Sequence, residues 1–139
     1  MPNRNQINPN DFSDKESIYK NINVEIFKTK WKSSDLDVVI KNFFENNSEF
    51  QNEFNIISNL RVSHLNIITF YGCCSDNHLN LVFEYADQGN LREYLDKFDC
   101  LTWNEKIKLC KDITHGLYFL HNCDVIHKDI WPKNILISQ

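Results

Sequence analysis

Glycine is scarce in this sequence: three occur in 139 residues, and none precedes Gly72. A loop that wraps closely around a phosphate relies on glycine for backbone approach, so the first half of the chain holds no glycine-built phosphate cradle. The five cysteines (Cys73, Cys74, Cys100, Cys110, Cys123) include no C-x-x-C pair. That odd, unpatterned set argues against a disulfide framework, and Cys73, Cys74 and His78 lack the spacing of tetrahedral zinc ligands. No apolar run approaches the ~20 residues of a membrane span. Residues 1–17 lack the apolar stretch of a signal peptide. With 15 Lys and Arg against 19 Asp and Glu, net charge −4, there is no basic stripe to hold nucleic acid. Internal repeats and low-complexity tracts are absent too. These absences predict an intracellular, cytoplasmic chain with neither a nucleic-acid nor a membrane partner. They leave oligomeric state undetermined.

What remains is ordinary globular composition, 42% hydrophobic and 24% charged, in a chain long enough to bury one core. Residues 1–17 are polar, carry Pro2 and Pro9 and lack apolar periodicity, which predicts a disordered leader. Beyond it the pattern turns β-like. Residues 24–30 and 37–43 read as strands around a turn at 31–35. Ser48 with Gln51 has capping-box spacing ahead of Phe50, Phe54, Ile57 and Leu60, predicting a helix. Residues 67–73 and 79–85 predict an antiparallel hairpin around Ser75-Asp76-Asn77-His78. Asn90 with Glu93 would cap a short helix reaching Lys97. Thr102 with Glu105 would cap a longer one, carrying Ile107, Cys110, Ile113, Leu117 and Leu120 on one face. Strands first and helices after give an α+β class. Asp87, Asp96 and Asp99 read as solvated charges, His64 as a structural turn residue, and His78, His115 and His121 as surface or packing residues.

The stretch His127-Lys128-Asp129-Ile130-Trp131-Pro132-Lys133-Asn134 carries the chemistry. His-x-Asp, with Asn five residues beyond the Asp, pairs a carboxylate able to accept a hydroxyl proton with an amide oxygen able to hold magnesium. A second signal is Lys41. Val39, Lys41 and Phe43 share one face of a strand, where an ammonium is costly to bury unless an anion meets it. Glu53 on the following helix is the natural partner. For the strand taken alone, a lysine snorkelling to solvent is the plainer reading.

Several stations stand in order: Trp31-Lys32; Val38-Val39-Ile40-Lys41; Glu53; His64-Leu65-Asn66-Ile67-Ile68; Tyr71-Gly72; Leu81-Val82-Phe83-Glu84-Tyr85-Ala86; Gly89-Asn90-Leu91; Gly116-Leu117-x-x-Leu120-His121; and the loop at His127. The series resembles the eukaryotic protein kinase domain, in its tyrosine-kinase-like group, from about Ile26 to Ile137. The resemblance implies a protein-kinase-like α+β fold over residues 18–139. Residues 18–85 would form a β-rich small lobe with one helix, and residues 86–139 the hinge, first helices and catalytic loop of the C-terminal lobe. It also implies transfer of the ATP γ-phosphate, with Mg2+, to a Ser, Thr or Tyr hydroxyl of a protein substrate. Lys41, held by Glu53, would pair with the α/β-phosphates. Phe83 would wall the adenine pocket, the backbones of Glu84 and Ala86 would hydrogen-bond adenine, and Ile26, Val39 and Leu136 would sandwich it. Asp129 resembles the base, Lys133 a basic loop residue, and Asn134 the magnesium ligand. Ile57, Phe70 and His127 would stack as part of an internal spine.

Departures accompany the resemblance. Aligned back from Ile26, the three glycine positions of the phosphate loop fall on Tyr19, Asn21 and Val24. Lys128 replaces an Arg that grips a phosphorylated activation loop bidentately, which a lysine does less well. Trp131 stands where serine/threonine kinases place a phosphate-contacting lysine. No Asp-Phe-Gly follows Ile137. The expectation is a kinase domain cut short after the catalytic loop, weak or inactive in transfer, with the apolar face of its long helix uncovered. The alternative is a pseudokinase module that binds a protein partner without chemistry.

Overall fold

The computed structural model describes residues 6–44, 47–60, 63–97 and 100–138. They form two compact units, Met1–Arg61 with Thr69–Tyr85, and Val62–Ile68 with Ala86–Gln139. The first unit is a five-stranded antiparallel sheet: β1 (Glu16–Lys20), β2 (Val24–Trp31), β3 (Leu36–Phe43), β4 (Phe70–Ser75) and β5 (Leu79–Glu84), in the order β1-β2-β3-β5-β4. Helix α1 (Asn47–Asn59) follows β3. Alternation along β3 and β5 splits their side chains between two faces. Val38, Ile40 and Val82 are fully buried, in a cluster with Cys74, Ile7 and Phe12 that is flanked by Phe27, Trp31 and Tyr71. On the other face Phe43 meets Phe50, and the rings continue through Phe54 and Phe70 to Phe83, with centroids 5.5 to 6.3 Å apart. Pairs at such separations contribute beyond simple burial, and here they fix α1 against the sheet.

Four expectations change in detail. The leader is not wholly disordered: within it, Gln6 bridges Cys73, residues 9–11 form a 3₁₀ turn, and Ile7 and Phe12 are buried. Two apolar anchors in a polar stretch carry too little periodicity to stand out in sequence, yet tertiary burial orders them. β1 accordingly begins at Glu16, before the expected boundary at residue 18. Ser48 lies inside α1 rather than at its cap, and the residue preceding Asn47 is outside the described residues. The strand expected at 67–73 runs over Phe70–Ser75 instead, because the preceding residues turn around His64. Residues 1–5 of the leader, and Asp99, lie outside the described residues.

The second unit holds α2 (Leu91–Lys97) and α3 (Trp103–Asn122). Both capping boxes form. Asn90 and Glu93 exchange hydrogen bonds of 3.0 and 3.2 Å, while Thr102 and Glu105 close the reciprocal box on α3. α3 buries Gly116 and Leu120. A Cβ on Gly116 would stand 2.7 Å from the Asn66 carbonyl oxygen, so only glycine lets the helix approach the turn at 64–67. In that turn His64 Nδ1 accepts the Asn66 N–H at 3.1 Å, and its ring stacks on Phe119 at 4.7 Å. Ile107 and Cys110 of the expected apolar face are exposed, as is Trp103. Asp96 is not merely solvated: it pairs with Arg92 one turn earlier, at 3.2 Å. All five cysteines carry free thiols, and burial pushes Cys74 up to about 11.

Candidate functional site

In the first unit the ladder register assembles one patch. Lys41 lies between Ile26 and Leu81, and Val39 between Lys28 and Phe83. Directly opposed residues share a face, so Ile26, Val39, Lys41, Leu81 and Phe83 stand together. Lys28 leaves the patch, reaching Asp37 at 3.8 Å and the Tyr85 ring at 4.1 Å. Lys41 Nζ instead donates to Glu53 Oε2 at 2.5 Å and lies 5.2 Å from the Phe43 ring centroid. The pair is partly exposed, with side chains 28% and 31% accessible. Such a pair is worth at most ~1 kcal/mol, so its consequence is positional. Glu53 is placed by its neighbours, since Phe50 and Phe54 on the same helix join the aromatic chain to the sheet. Glu84 pairs with Val38 and donates its N–H to Thr69 at 3.0 Å.

The turn between β1 and β2 holds one of the three positions at which glycine is missing, Asn21, while Tyr19 lies in β1 and Val24 opens β2. Asn21 Oδ1 accepts the N–H groups of Asn23 (2.9 Å) and Val24 (2.8 Å), and the Asn21 N–H reaches the Val24 carbonyl at 2.9 Å. Backbone donors that a phosphate loop would offer outward are here engaged by a side chain of the turn itself. Sequence reading noted the missing glycines but missed this substitute, whose signal is an asparagine opening a turn.

In the second unit the loop closes on itself. Asn134 Nδ2 donates to Asp129 Oδ2 at 2.7 Å and to the Asp129 carbonyl at 3.0 Å. The Asp129 N–H donates to His127 Nδ1 at 3.3 Å. Lys128 has a φ of +67°, a left-handed conformation that costs a non-glycine residue energy. Residues Pro132–Asn134 form a 3₁₀ turn, with the Lys133 ammonium 5.3 Å from the Trp131 ring centroid. The next residues pair with the start of α2 and the turn before it: the Leu91 N–H donates to the Ile135 carbonyl at 2.7 Å, the Ile137 N–H to the Gly89 carbonyl at 2.8 Å, and Leu136 bridges Asn90. Gly89 adopts φ +74°, where L side chains are rarely accommodated. The carbonyl of buried Ala86 accepts the Gly89 N–H at 3.3 Å. Leu136 remains 49% exposed.

The loop's donor set suits a hard cation. Because the Asn134 amide nitrogen faces Asp129, its Oδ1 is left as an acceptor beside a carboxylate, and magnesium favours one or two protein oxygens completed by water and phosphate. Among the described residues no group of three or more His, Cys, Asp or Glu is arranged to hold a metal by itself.

Residues 15–139 match the family model described as protein tyrosine and serine/threonine kinase. The chain belongs to that family. It is 33% identical over 132 residues to dual specificity testis-specific protein kinase 2 of Mus musculus, covering 93% of this chain and 23% of that protein. It is likewise 33% identical over 124 residues to L-type lectin-domain containing receptor kinase V.4 of Arabidopsis thaliana, covering 83% of this chain and 19% of the relative. The chain thus spans about a quarter or less of these relatives. The family uses ATP and Mg2+ in general and acts on protein substrates. Among the described residues no helix is long and apolar enough to cross a membrane.

Proposed function

We propose that this chain carries nucleotide- and hydroxyl-handling residues of a protein kinase of the tyrosine-kinase-like group, transferring the ATP γ-phosphate to a protein hydroxyl. The observation that carries the reading is the Asp129–Asn134 hydrogen bond of 2.7 Å. It orients the Asp129 carboxylate while leaving the Asn134 oxygen for a cation. Asp129 accepts the proton of the attacking hydroxyl, and Lys133 supplies positive charge near it. Magnesium, when bound, neutralises charge developing on the phosphates. On the first unit, Glu53 steers Lys41 toward the α/β-phosphates. Ile26, Val39 and Phe83 of the same unit offer apolar contact to adenine, and the Glu84 backbone a hydrogen-bonding partner; the second unit contributes Leu136 and the Ala86 backbone to the same task.

The Asn21-closed turn favours a second reading, a module that binds adenine nucleotides or a protein partner with little transfer. Both are tested by titrating MgATP and adenosine calorimetrically, alongside transfer of labelled γ-phosphate to a generic protein substrate. The first reading expects Lys41→Ala to weaken MgATP binding ~10-fold or more, the worth of a charge-assisted hydrogen bond, while adenosine affinity holds. It expects Asp129→Ala to cut transfer by ~10²–10⁴-fold. Transfer that survives Asp129→Ala would remove Asp129 from the role of base. MgATP binding without transfer would favour the module.

A further inference from the structure

The segment 6–13 crosses the sheet as an arm, tied at its middle by one carboxylate. Asp11 Oδ2 accepts the Trp31 indole N–H at 2.7 Å and the Ser33 hydroxyl, and the Asp11 carbonyl accepts the Lys32 N–H at 2.9 Å. On either side of this knot, Ile7 donates its N–H to Cys73 at 2.8 Å and Phe12 bridges Trp31. Ile7 and Phe12 are the arm's buried anchors, 8% and 6% exposed. The Ser33 hydroxyl bond is the largest influence on Asp11, whose carboxyl lies below its ordinary value although burial opposes the shift. Ser33 itself is exposed, on the turn at residues 32–35 between β2 and β3, with Asp35 and Asp37 after it.

We infer that Ser33 is a phosphorylation site whose modification unlatches the arm. A MgATP-dependent serine kinase would break the bond between the γ-phosphorus and the β,γ-bridging oxygen and form a bond from that phosphorus to Ser33 Oγ. ADP leaves, and the hydroxyl proton passes to the modifying enzyme's base. The product inverts the latch. A donor to Asp11 becomes a group of about −1.5 to −2 charge with only acceptors, set against a carboxylate. Lys30 and Lys32, the lysines flanking Trp31 beside Ser33, already have partners. Lys30 is held by Asp35 at 2.8 Å, and Lys32 Nζ donates to the Asn10 carbonyl at 3.2 Å. If Lys32 swings to the phosphate, the arm loses that bond as well.

The test places phosphoserine at position 33 of the intact chain during translation and follows amide hydrogen exchange over residues 6–13. Exchange about tenfold faster or more is expected, the loss of a charge-assisted hydrogen bond. Phosphoserine at position 34 is the control for charge on the same turn, and exchange there stays near the unmodified rate. Ser33→Ala removes the donor without adding charge and produces a smaller acceleration. Asp11→Asn on the phosphoserine-33 chain restores protection, because an amide N–H can donate to the phosphate. Unchanged exchange with phosphoserine 33, or acceleration that Asp11→Asn leaves undiminished, overturns the latch. Phosphopeptide mapping of the protein taken from cells that express it decides the site: phosphate on Ser33 supports the proposal, and its absence there overturns it.

Discussion

Single residues divide into those that hold geometry and those that would touch a ligand. Gly116 is the clearest of the first kind. Its missing Cβ would lie 2.7 Å from the Asn66 carbonyl oxygen, a backbone atom with little room to yield. Gly116→Ala should therefore destabilise the chain by ~1–3 kcal/mol despite alanine's better helix propensity, read as a lower denaturant midpoint. A gain in stability would mean that the turn at 64–67 yields at little cost. Asp76 supplies a pH signature. Burial alone would raise its pKa, but hydrogen bonds from the His78 N–H, Lys15 and Asn80 bring it down to about 2. A depressed carboxylate contributes stability above its unfolded pKa of about 3.9, and that contribution is lost as pH falls toward about 2. Asp76→Asn should flatten the pH dependence of stability across that window while changing little of its slope at neutral pH. An unchanged acid limb in urea titrations would count against the assignment.

At the scale of elements, local chemistry in the sequence determined much of the outcome. Thr102 with Glu105 and Asn90 with Glu93 both close as capping boxes, because that recognition needs only residues three apart. Thr102→Ala should cost ~1 kcal/mol and fray the first turn of α3, seen as reduced helicity and a lower midpoint. The β4–β5 hairpin was legible for the same reason, with polar residues between two apolar runs. The strand expected from Ile67 illustrates the limit. Ile67 and Ile68 look β-like by composition, yet the Ile67 N–H closes a turn onto His64 at 3.0 Å. Helix α1 was found, but Ser48 was misplaced as its cap, since helix ends carry weaker signals than helix faces.

For the molecule as a whole, the arm is the largest difference between expectation and structure. Phe12→Ala should destabilise by ~3 kcal/mol, because an emptied aromatic site leaves a cavity among Ile7, Trp31 and their neighbours. A truly disordered leader would make the same substitution neutral, so a chemical-denaturation curve separates the two. The sequence by itself determined membership of the kinase family and the α+β class, and it singled out Lys41, Glu53, Asp129 and Asn134 as candidates. Those signals are periodicity and spacing, which are local properties of the chain. Only the tertiary structure decided that Ile7 and Phe12 join the sheet's core cluster, that the Asn21 side chain engages the amides of Asn23 and Val24, and that Glu53 meets Lys41. These contacts depend on register across strands and on burial between segments far apart in sequence, where one or two residues carry the interaction without a repeating pattern.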